Sequence, residues 1–178
     1  MTKVAILGNA GGGKSTLSKA LSDAKHLPLY QLDKLAWNPG WVATPKEAFD
    51  REHKSIVKKD AWMIDGMAFL ESIKRRIECA DTIILIDHPL WIHYCWAAKH
   101  QFMCLFQDRP DFVDGCPMLP KTWQLAEMIW RIDKHLRPTL LELMENHQDN
   151  KQLYRIQSAD ELTVPGKGTA VIKESLIY

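Results

Sequence analysis

One segment near the N-terminus constrains this chain more than any other. Gly8-Asn9-Ala10-Gly11-Gly12-Gly13-Lys14-Ser15 satisfies G-x-x-x-x-G-K-[ST] at every fixed position. The apolar run Val4-Ala5-Ile6-Leu7 precedes it, and a helical pattern with Leu17, Ala20, Leu21 and Ala24 follows. A strand that ends in glycine and opens into a helix is the context in which this spacing binds phosphate. The glycines let backbone N–H groups turn inward without side-chain clashes, and the helix N-terminus adds its positive dipole end. In such a loop Lys14 reaches the terminal phosphates, and the Ser15 hydroxyl, next to Thr16, ligates Mg²⁺. Residues 8–16 are therefore the expected nucleotide-phosphate site, with ATP and Mg²⁺ as the expected ligands.

The remaining chain repeats the strand-then-helix rhythm. Short continuous apolar runs occur at Leu29-Tyr30-Gln31-Leu32, Trp62-Met63-Ile64, Ile83-Ile84-Leu85-Ile86 and Leu153-Tyr154-Arg155-Ile156. Continuous rather than alternating hydrophobicity suits strands covered on both faces. Helical patterns span 14–24, 45–58, 69–78 and 89–106. A long one runs over 119–146, where Pro138 predicts a kink or a break. Thr44 is the expected N-cap of the second helix, with Pro45 at its first position. This alternation predicts a doubly wound α/β domain. Residues 33–44, with Trp37-Asn38-Pro39-Gly40-Trp41, and 107–120 read as loops on the phosphate-loop side; the tail after Asp160 shows no period.

Composition narrows the class. At 178 residues, with ~150 per domain expected, one domain is predicted. Lys and Arg total 23 against 22 Asp and Glu, a net charge of +1 that argues against a strong non-specific hold on nucleic acid or anionic membrane. Cys79, Cys95, Cys104 and Cys116 form no C-x-x-C pair, so reduced and mostly buried thiols in a cytoplasmic protein are expected. The most apolar segment, 89–106, contains His93, Lys99 and His100 and falls short of a membrane span.

Five segments together resemble a known family: GNAGGGKSTL, LPLYQLDKLAWNPGW, AWMIDG, ADTIILIDHP and RPDFVDGCP are similar to the adenylate-kinase-related DNA topology modulation proteins. The resemblance runs over roughly residues 3–157. It implies a P-loop NTPase fold with a parallel five-stranded sheet in the order 2-3-1-4-5, helices on both faces and a lid-like insertion at about 107–120.

The resemblance also suggests roles. Asp33, past the second apolar run, is placed where small-molecule kinases orient an acceptor hydroxyl; an Asp capping a turn is the structural alternative. Asp65, in Asp65-Gly66, looks like the residue that helps Ser15 hold Mg²⁺, with Asp87 as its rival at another strand end. Adenylate kinases carry an acceptor-phosphate Arg soon after the Asp-Gly. Here Met67-Ala68-Phe69-Leu70 follows, and Arg75 and Arg76 are the nearest guanidiniums. Trp96 and His100 stand where that family tends to place lid arginines, which leaves Arg109 as the lid candidate. Arg131, Lys134 and Arg137 recur every three residues, with Arg131 and Arg137 favoured as phosphate ligands and Trp123, Ala126, Trp130, Leu140 and Leu143 expected on the core side. His88, His93 and His100 lack the spacing of a zinc site. The resulting expectation is a kinase moving the γ-phosphoryl of Mg·ATP to a nucleotide or small hydroxylated acceptor. The alternative is an ATP-binding regulatory or DNA-topology-related protein.

Overall fold

The computed structural model describes residues 1–103, 119–158 and 160–162. The chain enters through β1 (Lys3–Gly8), turns through the glycine loop into α1 (Lys14–Lys25) and returns as β2 (Leu29–Gln31). A short helix α2 (Leu32–Ala36) leads to a two-stranded antiparallel hairpin, β3 (Trp37–Asn38) and β4 (Val42–Ala43). Then follow α3 (Lys46–Val57), β5 (Trp62–Asp65), α4 (Leu70–Cys79), β6 (Thr82–Ile86) and α5 (Leu90–Met103). Beyond a short 3-10 turn come α6 (Thr122–Arg131), a π-helical turn (Ile132–Leu136), α7 (Arg137–Glu145) and β7 (Gln152–Ile156).

Five strands form one parallel sheet in the order β2-β5-β1-β6-β7. The strand numbers depart from the expected 2-3-1-4-5 because the hairpin β3–β4 intervenes in the chain without joining the sheet. Alternate side chains point to opposite faces, as strand geometry requires. Ala5, Leu7, Ile64, Ile83, Leu85 and Leu153 pack with Phe49, Ile56, Ile73, Ile77, Leu140 and Met144 from α3, α4 and α7. Val4, Ile6, Met63, Ile84, Ile86 and Ile156 meet Leu17 and Leu21 of α1 on the other face. Burial on both faces explains the continuous apolar runs of β1, β5 and β6, and each fully buried Val, Leu, Ile, Phe or Met contributes about 1.5–3 kcal/mol. Among the described residues, no helix is long and apolar enough to cross a membrane.

Several local expectations are corrected. Residues 33–44 are not an irregular loop: α2 and the hairpin organise them, with Gly40 at φ +77° and Trp41 at φ +62° making the reversal. Thr44 does not cap α3. Pro45 is itself the N-cap, and its carbonyl accepts the amides of Ala48 and Phe49. The Thr44 hydroxyl instead accepts from Asn38 within the hairpin. Cys79 and Cys95 are exposed rather than buried, since the inward face of α5 is His93, Ala97 and Gln101 and Cys95 lies off it. Cys104 and Cys116 lie outside the described residues.

The break at Pro138 takes a specific form. Pro138 has no N–H, and its ring would clash with the carbonyl four residues back. The chain widens into the π turn just before it, where the Arg137 amide reaches the Ile132 carbonyl. That extra residue rotates everything downstream. On the upstream side Ile129 is the buried residue of α6, while Trp123 (82% exposed) and Trp130 (46%) face outward, contrary to expectation. Ala126 is half-buried, and Leu140 and Leu143 lie against the core as expected.

Asp81 pins the N-terminus. Burial alone would raise its pKa, but donors from the Thr82 hydroxyl, the Thr2 and Lys3 amides and the Thr2 hydroxyl outweigh this and hold it at about 2. A carboxylate whose pKa is lower in the folded state adds stability that is present above its unfolded value and is lost as pH falls through the folded one. Asp81→Asn should therefore lower Tm at pH 7, and the gap from wild type should narrow from about pH 4 and close towards pH 2, as read by circular dichroism melts.

Candidate functional site

The loop from Gly8 to Ser15 lies at the carboxyl end of the central strand, the end of a parallel sheet where ligands bind. Its backbone demands glycine in three places: Gly8, Gly11 and Gly13 have φ of +139°, +65° and +82°. Gly13 is the left-handed N-cap of α1, so the first amides of that helix open towards the loop. Space is equally restrictive. A Cβ on Gly8 would stand 2.5 Å from the Ile86 carbonyl oxygen, and one on Gly11 would stand 2.6 Å from the His93 carbonyl oxygen of α5.

Two helices hold this loop from the β6 side. His93 Nδ1 lies 3.0 Å from the Ala10 carbonyl, which can only accept, so that nitrogen carries the proton. Asn9 is buried. Its Nδ2 donates to the Ile129 carbonyl of α6 at 2.8 Å, and its Oδ1 accepts the Ala10 amide at 2.8 Å. The Lys14 ammonium folds back onto the loop and donates to the Asn9 carbonyl at 2.7 Å.

Under the loop on the other side sits Asp65, at the end of β5 and paired in register with Ile6 of β1. It is 4% exposed. Ser18 donates to Oδ2 at 3.2 Å, whereas the buried Oδ1 has no hydrogen-bond partner. Burial pushes the Asp65 pKa up, and Asp33 pushes it further, while Lys14, Ser15 and Ser18 pull the other way. An orphaned carboxylate oxygen beside the Ser15 hydroxyl is a hard-oxygen donor set, the chemistry Mg²⁺ prefers, so these residues fit a Mg²⁺ that arrives with a nucleotide. Asp33, exposed on the first turn of α2, is close enough to act electrostatically on both Asp65 and Arg76.

The other expected residues disperse. Asp87 is held by two guanidiniums: Arg137 grips both carboxylate oxygens, and Arg155 of β7 reaches Oδ2 at 2.8 Å through Nε and 2.6 Å through Nη2. Arg137 is thus a bidentate ion-pair partner of Asp87, which raises its pKa further. Arg131 is exposed and pairs with Glu127 at 2.6 Å, one turn back on α6. Lys134 lies 3.7 Å from Asp133, and the three cations act separately because the π turn breaks their spacing. Arg109 lies outside the described residues, as does most of 107–120. Trp37 and Trp41 meet edge to face at 5.5 Å across the hairpin. Trp96 is half-buried, edge-on to His88 at 5.5 Å. Among the described residues, no group of three His, Cys, Asp or Glu could hold a metal ion.

Sequence reasoning missed three contributors. His93 was considered only as a metal ligand; its helical spacing to Ala97 and Gln101 was the available sign of a buried face. Met67 accepts the Gly8 amide at Sδ, 3.3 Å away, and nothing in the sequence announces that contact. Arg76 is fully buried, and its place among Ser72, Ile73 and Ile77 on the inward face of α4 was the signal.

No family model matches the chain, and no curated protein does. The resemblance to DNA topology modulation proteins therefore stands on its sequence segments alone. Among solved structures, a shikimate kinase from Aquifex aeolicus is 17% identical, with 80% of this chain and 96% of that one covered at a TM-score of 0.42. A shikimate kinase from Acinetobacter baumannii in complex with shikimate is 12% identical, covering 83% and 94%, at 0.45. A sugar kinase from Janibacter is 12% identical, covering 83% and 92%, at 0.43.

Two buried histidines flank the site. Burial lowers His93 to about 4, with neighbouring His88 and Lys14 adding to the effect against the Ala10 carbonyl and Asp133. Burial, then Arg76 and Arg75, lowers His53 to about 4 against Asp50. The unfolded chain takes up these protons below about 6.5 and the folded chain only near 4, so stability should fall as pH drops from 6.5 to 4. His53→Phe, which replaces a ring stacked on Phe49, should flatten that slope in urea titrations.

Proposed function

We propose that the chain is a P-loop phosphotransferase that moves the γ-phosphoryl of Mg·ATP to a nucleotide or small hydroxylated acceptor. The observation that carries this reading is Asp65: a buried carboxylate with one orphaned oxygen, beside Lys14 and Ser15 and under a loop built for phosphate. In this reading the amides of 8–16 hold the phosphates, and Lys14 leaves the Asn9 carbonyl to meet the transferring group. Ser15 and Asp65 would hold Mg²⁺, which would supply charge neutralisation to the phosphates. Phosphoryl transfer needs positioning and electrostatics more than covalent help, so a two-carboxylate, one-ammonium cluster is adequate machinery.

Asp33 is assigned to the acceptor. It projects from α2 near Asp65, where an exposed carboxylate can accept a hydrogen bond from an incoming hydroxyl and orient it. Arg131 and Arg109 are assigned to closing on the phosphoryl group; Arg131 is exposed, and its contact with Glu127 is a surface pair of small worth. Arg137 would have to abandon both oxygens of Asp87 to reach a phosphate. We assign it instead to fastening α7 to the end of β6.

The test is ADP formation from Mg·ATP with nucleoside monophosphates, sugars and hydroxy acids as acceptors. Acceptor-dependent turnover is expected, reduced about 10²–10³-fold in Lys14→Ala, since removing a single electrostatic contact to developing charge typically costs that much. The Lys14→Ala chain should still fold cooperatively, because the hydrogen bond of the Lys14 ammonium is to the loop and its field acts on Asp65 under that loop. A folded Lys14→Ala chain that retains turnover would refute the assignment. Tight ATP binding with only slow, acceptor-independent hydrolysis would point to the regulatory alternative.

A further inference from the structure

Among the described residues Arg76 is the one guanidinium in the core, and the phosphotransferase reading gives it no task. It is fully buried on α4. Its Nη1 donates to the Gly66 carbonyl at 2.7 Å and its Nη2 to the Met67 carbonyl at 2.8 Å, while Nε reaches the Ser72 carbonyl at 3.3 Å. The acceptors are thus all backbone oxygens, and Asp65 and Asp33 are the anions whose fields support the charge. A buried cation held this way costs stability relative to an apolar side chain of similar size. Its place therefore calls for another reason.

The turn it grips supplies one. Gly66 follows Asp65 directly and sits at φ +119°, pressed so closely on Leu32 that a Cβ there would lie 3.1 Å from the Leu32 Cβ. Leu32 opens α2, and Asp33 is the next residue. Met67, the second residue of the turn, accepts the Gly8 amide at its sulfur. One side chain thus clamps a two-residue turn that touches the β5 carboxylate, the helix bearing Asp33 and the first residue of the phosphate loop. Being fully covered, Arg76 cannot contact a nucleotide or an acceptor, and so it does not replace the acceptor-phosphate Arg missing after Asp65-Gly66.

We infer that Arg76 is a positioning residue, resting on the phosphotransferase reading: its planar fork fixes the Gly66-Met67 turn and thereby the aim of Asp65 at Mg²⁺. A planar fork matches two successive carbonyls in a way that an ammonium does not, so lysine is an incomplete substitute. Residues that orient a metal ligand without touching the metal typically cost 10–100-fold in metal affinity when replaced.

The experiment uses the full chain, a fluorescent methylanthraniloyl ATP analogue and a Mg²⁺ titration, with fold checked by circular dichroism. In wild type, Mg²⁺ should strengthen binding of the analogue. Arg76→Gln, and Arg76→Lys should the glutamine variant not fold, should bind the analogue in EDTA within about three-fold of wild type while the half-saturating Mg²⁺ concentration rises about ten-fold or more. A purely structural arginine would lower Tm and leave the Mg²⁺ midpoint where it was; folded variants with a midpoint within two-fold of wild type would overturn the inference. A wild-type chain that binds no analogue at any Mg²⁺ concentration would overturn the phosphotransferase reading itself, and with it the role given to Arg76.

Discussion

Everything around the site depends on how closely the loop backbone approaches its neighbours. Gly8 lies against the Ile86 carbonyl and Gly11 against the His93 carbonyl, at separations that leave no room for a Cβ. This proximity lets His93 hold the Ala10 carbonyl from α5 and lets buried Asn9 reach the Ile129 carbonyl of α6. Three segments distant in sequence are thus tied to one short loop by contacts that each require their partner's backbone to be bare or exactly oriented. Gly8 admits β6 and Gly11 admits helix α5, so each is constrained by a close neighbour as well as by its positive φ.

The two acidic residues at the strand ends flanking β1 show how environment separates equivalent chemistry. Asp65 ends β5 and Asp87 follows β6, on either side of β1, and both are buried. Asp87 is gripped by two arginines, so its charge is matched and its oxygens are occupied. Asp65 receives one serine donor and has a free oxygen, with a buried guanidinium near it but not on it. The first arrangement leaves neither carboxylate oxygen without a partner and the second leaves one. That difference, rather than position in the sheet, is what favours Asp65 in the proposed reading.

Much of this was legible in advance. Continuous apolar runs located all five sheet strands, most plainly the inner strands β1, β5 and β6, whose residues are covered on both faces and need no polar alternation. The glycine-lysine spacing located the loop, because few other residues tolerate its backbone angles. The helix faces were harder. Trp123 and Trp130 look like core residues by type, yet the structure turns them outward and buries Ile129, since helix register here depends on the π turn that Pro138 forces downstream. The same turn dissolves the apparent stripe of Arg131, Lys134 and Arg137. Arg76 was invisible as a positioning group because its partners are carbonyl oxygens, which every residue possesses and no sequence pattern marks.

The ion pair between Asp87 and Arg155 also bears on how the chain comes to be folded. Strand β6 is apolar from Ile83 to Ile86 and buried throughout, and its outer neighbour β7 is supplied by residues 152–156. During synthesis β6 is complete long before β7 emerges, so for that interval it presents an open parallel edge of unpaired amides and carbonyls. Such edges recruit other chains, and parallel pairing across a long connection closes slowly. Asp87 follows that strand, and of its two partners Arg155 belongs to β7 itself. A carboxylate at the end of an apolar strand is the kind of residue that discourages such pairing, besides fastening the finished sheet.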